Sequence, residues 1–226
     1  MILTPSNDFT TTVTSTPVRY FVGLDLGQVR DYSAVAVLAV NKVRSECGLK
    51  VTVDTSRRAE LVHLSRWPLG TSYPSVVEGM AKLMPSLPGS PLAPILLVDA
   101  TGVGRPVVDL LRRAGLKPIA VTITGGANVT GDGSDYRLPK RDMVSALQVA
   151  LQAGELKIAA GMAETEHLVN ELQNFKLKHT AAGNETFEAL RESIHDDLVF
   201  ATGLANWYSS LGLQGMRAVQ LDYISR

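Results

Sequence analysis

Cysteine is almost missing from this chain: Cys47 stands alone among 226 residues. An intrachain disulfide and a cysteine-rich zinc site are thereby excluded, and a reducing interior compartment fits. Net charge is missing too. Lys and Arg total 22 and Asp and Glu total 22, so a nucleic-acid surface would have to come from local clustering of cations. No apolar run approaches the roughly 18 residues of a membrane span, and the N-terminus lacks the basic and apolar regions of a signal peptide. A soluble, cytoplasmic protein is expected. There is no phosphate-binding loop of the form G-x-x-x-x-G-K-[ST], so the chain by itself is not expected to hydrolyse ATP. No internal repeat of solenoid period is present.

Apolar residues make up 45% and charged residues 19%, enough for one elaborated α/β domain with a sizeable core. Residues 1–17 are rich in Thr and Ser, carry two prolines and have no apolar periodicity; they read as a linker or arm. Strands are expected at Arg19–Leu26 and Ser33–Val40, paired antiparallel, then at Leu49–Val53 and Ala59–Trp67 with Asp54–Arg57 as a turn. Helical spacing follows over Tyr73–Leu83. The short apolar run Pro94–Val98 reads as a strand covered on both faces. A helix over Pro106–Ala114 and a strand over Lys117–Thr124 complete a right-handed crossover.

Residues 125–133 form a glycine-rich polar loop, taken as mobile. Helices are expected from Pro139 or Lys140 to Gln152 and over Glu164–Phe175, with a short edge strand at Leu156–Ala159. Lys176–Glu188 reads as a hairpin turning at Gly183-Asn184. The last helix spans Ile194 to about Ser210, and residues 212–226 form a tail. A meander followed by alternating helix and strand predicts a mixed sheet, antiparallel and parallel, with helices on both faces.

The chemistry gathers on carboxylates in apolar settings. Asp25 interrupts the buried-type strand Tyr20–Gly27, and an ionised acid there is costly unless a cation or a dense set of donors compensates it. Its neighbours Leu24 and Leu26 point to the opposite face. Asp99 ends the run Ile95–Asp99, at the strand edge where open α/β sheets gather ligands, although an Asx-type bond within Thr101-Gly-Val-Gly104 would also employ it. The crossover makes these two strands parallel neighbours. In Ser193-Ile-His-Asp-Asp197 the spacing of Ser193 and Asp196 is a capping box. Asp197 lies about 100° further round the helix and opens the row Asp197, Ala201, Leu204, Ala205, Tyr208, which is the face laid on the sheet.

Asp197 should therefore point inward at Asp25 and Asp99, with Asp196 stabilising the terminus and serving as a weaker ligand. Three such acids raise one another's pKa unless cations sit among them. Oxygen-only ligation selects Mg²⁺ or Mn²⁺. Two ions about 4 Å apart would suit hydrolysis of a phosphodiester. His195 is a candidate ligand or base, with a backbone-satisfied helix-start histidine as its simpler role.

Gly23-Leu-Asp-Leu-Gly27 with Asp31 after it, Leu97–Gly102, Pro139-Lys-Arg-Asp142 opening a helix, and Ser193–Val199 together resemble the nuclease domain of tailed-phage terminase large subunits. The resemblance spans roughly residues 19–211 and implies a ribonuclease H-like fold, with the nuclease domain expected over residues 18–211. It implies that Asp25, Asp99 and Asp197 bind catalytic Mg²⁺ or Mn²⁺, with Asp31 in support. The implied activity is metal-dependent endonucleolytic cutting of double-stranded concatemeric DNA during genome packaging, with little sequence preference.

Implied partners are DNA, a packaging ATPase, a portal and a small terminase subunit, in the host cytoplasm. Members of that family carry the ATPase ahead of the nuclease, so this chain is expected to be an excised domain or a separately encoded nuclease. Candidate DNA contacts are Lys140 and Arg141 at a helix start, where donors and cations together grip phosphate, with Arg30, Lys176 and Lys178. At zero net charge binding should be weak and steeply salt-dependent.

Two other classes compete. An actin-like or sugar-kinase ATPase also carries G-x-D-x-G, but needs hydroxyls where Gln28-Val29 stand and a second such domain. A non-catalytic docking module for a portal, capsid or motor would keep the fold without needing the acids.

Overall fold

The computed structural model describes residues 11–27, 31–47, 52–102, 104–179, 185–189 and 196–221. Among the described residues the elements follow in the order β1 Thr11–Ser15, β2 Arg19–Asp25, β3 Ala34–Cys47, β4 Thr52–Arg66, α1 Tyr73–Ser86, β5 Ile95–Asp99, α2 Gly104–Arg113, β6 Pro118–Thr124, β7 Thr130–Gly131, β8 Asp135–Pro139, α3 Lys140–Gln152, β9 Leu156–Ile158, α4 Thr165–Asn174, β10 Phe175–His179, β11 Glu185–Ala189 and α5 Asp197–Leu221. The main sheet runs β7-β8-β6-β5-β2-β3-β4-β9, with β1 on the far half of β3. β2, β3 and β4 are antiparallel, whereas β5, β6 and β8 add parallel to β2. This is the expected mixed sheet.

Alternation along the strands divides the core. Val22, Leu24, Val35, Val37, Leu96 and Val98 face α1 and α2 through Val76, Met80, Val107 and Leu111. Phe21, Ala34, Ala36, Leu38, Ala59, Leu61 and Leu64 face α3, α4 and α5 through Leu147, Leu168, Leu198, Ala201 and Ala205. Because side chains alternate with period two, Gly23 and Asp25 share the α5 face with Phe21. A β-carbon on Gly23 would lie 1.9 Å from the Ala201 carbonyl oxygen, so α5 crosses β2 in direct backbone contact.

Several elements depart from the sequence reading, among them β7 within the expected loop and β3, which runs on past Val40 to Cys47. Thr11–Ser15, inside the expected arm, pairs with β3. Asp54–Arg57, expected as a turn, lies within β4, where Arg57 is buried. Its polarity misleads because Asp54 and Thr55 pair with the equally polar Ser45 and Arg44 at the sheet's far end. β8, paired with β6 and β7, was not expected; a five-residue strand of such mixed polarity has no periodic signature. The last helix starts at Asp197 and extends to Leu221, past the expected end near Ser210. The strands of the expected hairpin are present as β10 and β11, pairing Phe175 with Ala189 and His179 with Glu185; its expected turn at Gly183-Asn184 lies outside the described residues.

Candidate metal centre

Three elements bring carboxylates to one edge of the sheet. β2 and β5 run parallel with Leu24 opposite Val98, so Asp25 and Asp99 follow one residue later, side by side. Asp99 shares the α5 face with Leu97, which packs against Leu204 and Trp207. α5 supplies the third acid. A strand advances about 6.6 Å over two residues and a helix about 6 Å over four. The contact of Gly23 with Ala201 therefore carries over to Asp25 with Asp197 when helix and strand run in opposite senses.

Electrostatics report the same convergence. Burial pushes the Asp25 carboxyl well above the usual range, and the charges of Asp99, Asp197 and Asp196 push it further. Part of Asp25's surface reaches solvent, yet its carboxyl is hemmed in by protein atoms. The Leu26 N–H donates to it and favours the charged form, a weaker effect than burial. Asp99 is also raised by burial, although Thr101, a hydrogen bond from Asp25 and the charge of Lys140 pull it back. Asp197 is pushed up to about 7 by burial first and by Asp196 second, against the pull of Arg66, with Asp31 raising it further. Burial is the largest cause for all three, and the repulsion felt by Asp25 is what adjacent carboxylates without a counter-ion show.

Hydrogen bonding fixes some of these groups and leaves others open. The Thr101 N–H donates to Asp99 Oδ1 at 2.7 Å, which is the Asx-type bond the turn allowed; the structural and site roles coexist. The Thr101 hydroxyl accepts from the Ile123 N–H at 2.9 Å, tying β5 to β6. Asp197 is 3% exposed, and its Oδ2 has no hydrogen-bond partner among the described residues. A buried, unpartnered carboxylate oxygen facing other acids suits a hard cation, and the donor set is all oxygen. Among the described residues, no group of three His, Cys, Asp or Glu side chains is arranged to ligate an ion as it stands. The carboxyls are electrostatic neighbours and not yet a coordination shell.

Asp196 occupies a different place from the one its spacing suggested. Its carbonyl accepts the first helical bond, from the Phe200 N–H at 2.9 Å, so it is the N-cap residue and not the third residue of a capping box. Its side chain, 36% exposed, pairs with Lys140 Nζ at 3.6 Å. Lys140 also lies over the Phe200 ring at 4.6 Å, so it stands inside the acid cluster as well as at the α3 start. Arg141 is exposed, with Nε 3.4 Å from Asp142 Oδ1 and Nη2 donating to the Ala127 carbonyl in the glycine-rich loop. Asp31 is exposed. Arg30 and His195 lie outside the described residues, as do the side chains of Lys176 and Lys178.

Two residues at the site were absent from the sequence reading. Glu171 of α4, 4% exposed, accepts the N–H groups of Leu198 and Val199 on Oε2, each at 3.0 Å. Burial pushes its carboxyl up to about 8, opposed by the Val199 N–H and by Arg66. Arg66 Nη1 lies 3.8 Å from Glu171 Oε1. The signal for Glu171 was a charge in the buried row Leu168, Glu171, Leu172 of an amphipathic helix. Arg66 had none, because a bulge between Leu61 and His63 changes the parity of β4. Leu61 and Leu64 therefore share a face, and Arg66 follows Leu64 onto it.

A family model described as "Terminase RNaseH-like domain" matches residues 95–207. No curated protein matches. Among solved structures, the large terminase nuclease from thermophilic phage G20c is similar at 21% identity and TM-score 0.55, covering 85% of this chain and 82% of its own. The same nuclease with bound magnesium gives 21% and 0.55, over 84% and 80%. The Thermus phage P74-26 large terminase nuclease domain gives 20% and 0.52, over 85% and 80%.

Proposed function

This chain belongs to the terminase family of ribonuclease H-like domains, and on that premise we propose that it is a divalent-cation-dependent endonuclease that cuts double-stranded, concatemeric phage DNA during packaging. Asp25, Asp99 and Asp197 would hold Mg²⁺ or Mn²⁺, two ions in all, with Asp196 as a weaker ligand and Asp31 in support. The observation that carries this reading is the approach of Asp25, Asp99 and Asp197 from β2, β5 and α5, with burial raising all three and the charges of Asp99 and Asp197 raising Asp25 further. The magnesium-bound state of the G20c nuclease supports the choice of ion. When bound, the ions supply an activated water and charge stabilisation for the departing oxygen.

The chain's own groups orient the rest. The Thr101 N–H engages Asp99 Oδ1 and so holds the Asp99 carboxyl in place beside Asp25. Asp25 and Asp99 are hydrogen-bonded to each other, and both would have to be deprotonated to hold a cation. Lys140, balanced between Asp196 and the Phe200 ring, is positioned to meet a phosphate entering the cluster. Arg141, and by the same reading Arg30, Lys176 and Lys178, would extend that contact along the backbone with little base readout. His195 would assist as ligand or base. A packaging ATPase, a portal and a small terminase subunit are the partners this reading implies. Among the described residues no helix is long and apolar enough to cross a membrane.

A plasmid-nicking assay with Mn²⁺, with EDTA and with ATP tests the proposal. Chelator-sensitive cutting of duplex DNA is expected. ATP turnover without cutting would point to the kinase-like class, and neither activity to a docking module.

A further inference from the structure

The first turn of α5 has no side-chain cap from Asp196, whose carboxylate is turned to Lys140. Its second and third N–H groups, from Leu198 and Val199, are instead satisfied by one oxygen of Glu171, which reaches across from α4. These donors immediately follow Asp197. Glu171 therefore sets both the position and the rotation of the turn that aims Asp197. Behind it, Arg66 closes the arrangement: Nη1 lies 3.8 Å from Glu171 Oε1, Nη2 is 2.7 Å from Glu164 Oε2, and the guanidinium sits over the Tyr32 ring at 4.7 Å. Arg66 pairs with Ala34, which pairs with Asp25. One row across β2, β3 and β4 thus joins the β2 acid to the cation that backs the α5 cap.

A capping acceptor could have been supplied locally, by Ser, Thr or Asp at the helix start. A buried acid brought from another helix, with an arginine behind it, is a costlier arrangement than stability requires. What it adds is a rigid tie between the α4–α5 packing and the orientation of Asp197, of the kind that outer-shell groups provide at metal sites. We propose that Glu171, held by Arg66, is a positioning residue that aims Asp197 at the cation site; this rests on the metal-site reading above. In this role Glu171 acts through Asp197 and is not itself a ligand of the ion.

The test uses the full chain and two variants. Glu171→Gln keeps a carbonyl oxygen for both N–H groups, whereas Glu171→Met fills the volume with no acceptor of comparable strength. Amide hydrogen exchange at Leu198 and Val199 in EDTA and Mn²⁺ affinity by calorimetry are measured for each. In Glu171→Met both amides should exchange at least tenfold faster, and Mn²⁺ should bind about 10–100-fold more weakly. Glu171→Gln should keep the protection and stay within about threefold of the parent affinity.

Unchanged Mn²⁺ affinity in Glu171→Met overturns the proposal. So does Mn²⁺ binding lost in Glu171→Gln while both amides stay protected, a result that decides the matter even if the Met variant does not fold. If the parent chain itself binds no Mn²⁺, the metal reading falls and this one with it, and the two failures are told apart by the parent titration.

Discussion

The backbone of Ala201 lies against Gly23 so closely that no side chain fits between them: a β-carbon on Gly23 would be 1.9 Å from the Ala201 carbonyl oxygen and 2.9 Å from its carbonyl carbon. The clashing atoms are backbone, so no rotamer change relieves them. The separation of α5 from β2 depends on that missing side chain, and with it the distance from Asp197 to Asp25.

Gly23→Ala should therefore lower stability by roughly 1–3 kcal/mol or more, the usual range for overpacking. It should also reduce cutting about 100-fold, as expected when a reacting group is displaced by about 1 Å. Urea unfolding and plasmid nicking measure the two effects. A variant that cuts normally would show that the spacing of α5 is not critical.

Asp25→Ala should abolish cutting and yet raise the stability of the metal-free protein. The substitution removes a carboxyl whose charge is opposed by burial and by Asp99, Asp197 and Asp196. A gain of roughly 1 kcal/mol in EDTA is expected from relieving buried like charge. Retained nicking would remove Asp25 from the mechanism.

Asp197→Asn and Asp196→Asn should separate cleanly. Asp197 is buried with an unpartnered oxygen, whereas Asp196 is more exposed and paired with Lys140. Losses of about 100-fold or more for Asp197→Asn and about tenfold or less for Asp196→Asn are expected. Single-turnover cutting rates at saturating Mn²⁺ check the order, and its reversal would make Asp196 the principal ligand.

Stability of the metal-free protein should fall as pH rises. Asp25, Asp99 and Asp197 all hold their protons more tightly folded than unfolded, Asp197 up to about 7. Their stabilising contribution is complete below about pH 4, where both states are protonated. It is lost as pH climbs through the folded values, because the unfolded chain then releases protons that the folded chain retains. In EDTA the melting temperature should drop by several degrees between pH 5 and pH 8. Mn²⁺ at 100 times its Kd should restore about 2.7 kcal/mol, roughly 5–10 °C for a domain of this size. Scanning calorimetry measures both, and a melting temperature that neither falls with pH nor responds to Mn²⁺ would argue against a preformed acid cluster.

The sequence alone determined the class of sheet, the parallel placement of Asp25 and Asp99, and the inward row of the last helix. These follow from local signals: a carboxylate alternating with buried leucines, an apolar run ended by an acid, and a 3.6-residue period beginning at Asp197. Only the tertiary structure decided how the acids are held. Asp196 caps α5 with its backbone and gives its side chain to Lys140, because the helix begins one residue later, at Asp197. Glu171 and Arg66 reach the site from α4 and β4, one by a cap bridging 27 residues and the other by a bulge that reverses strand parity. A hydrogen bond between distant helices and a single inserted residue leave no period in the chain, so folding had to bring those groups together before their role could be read.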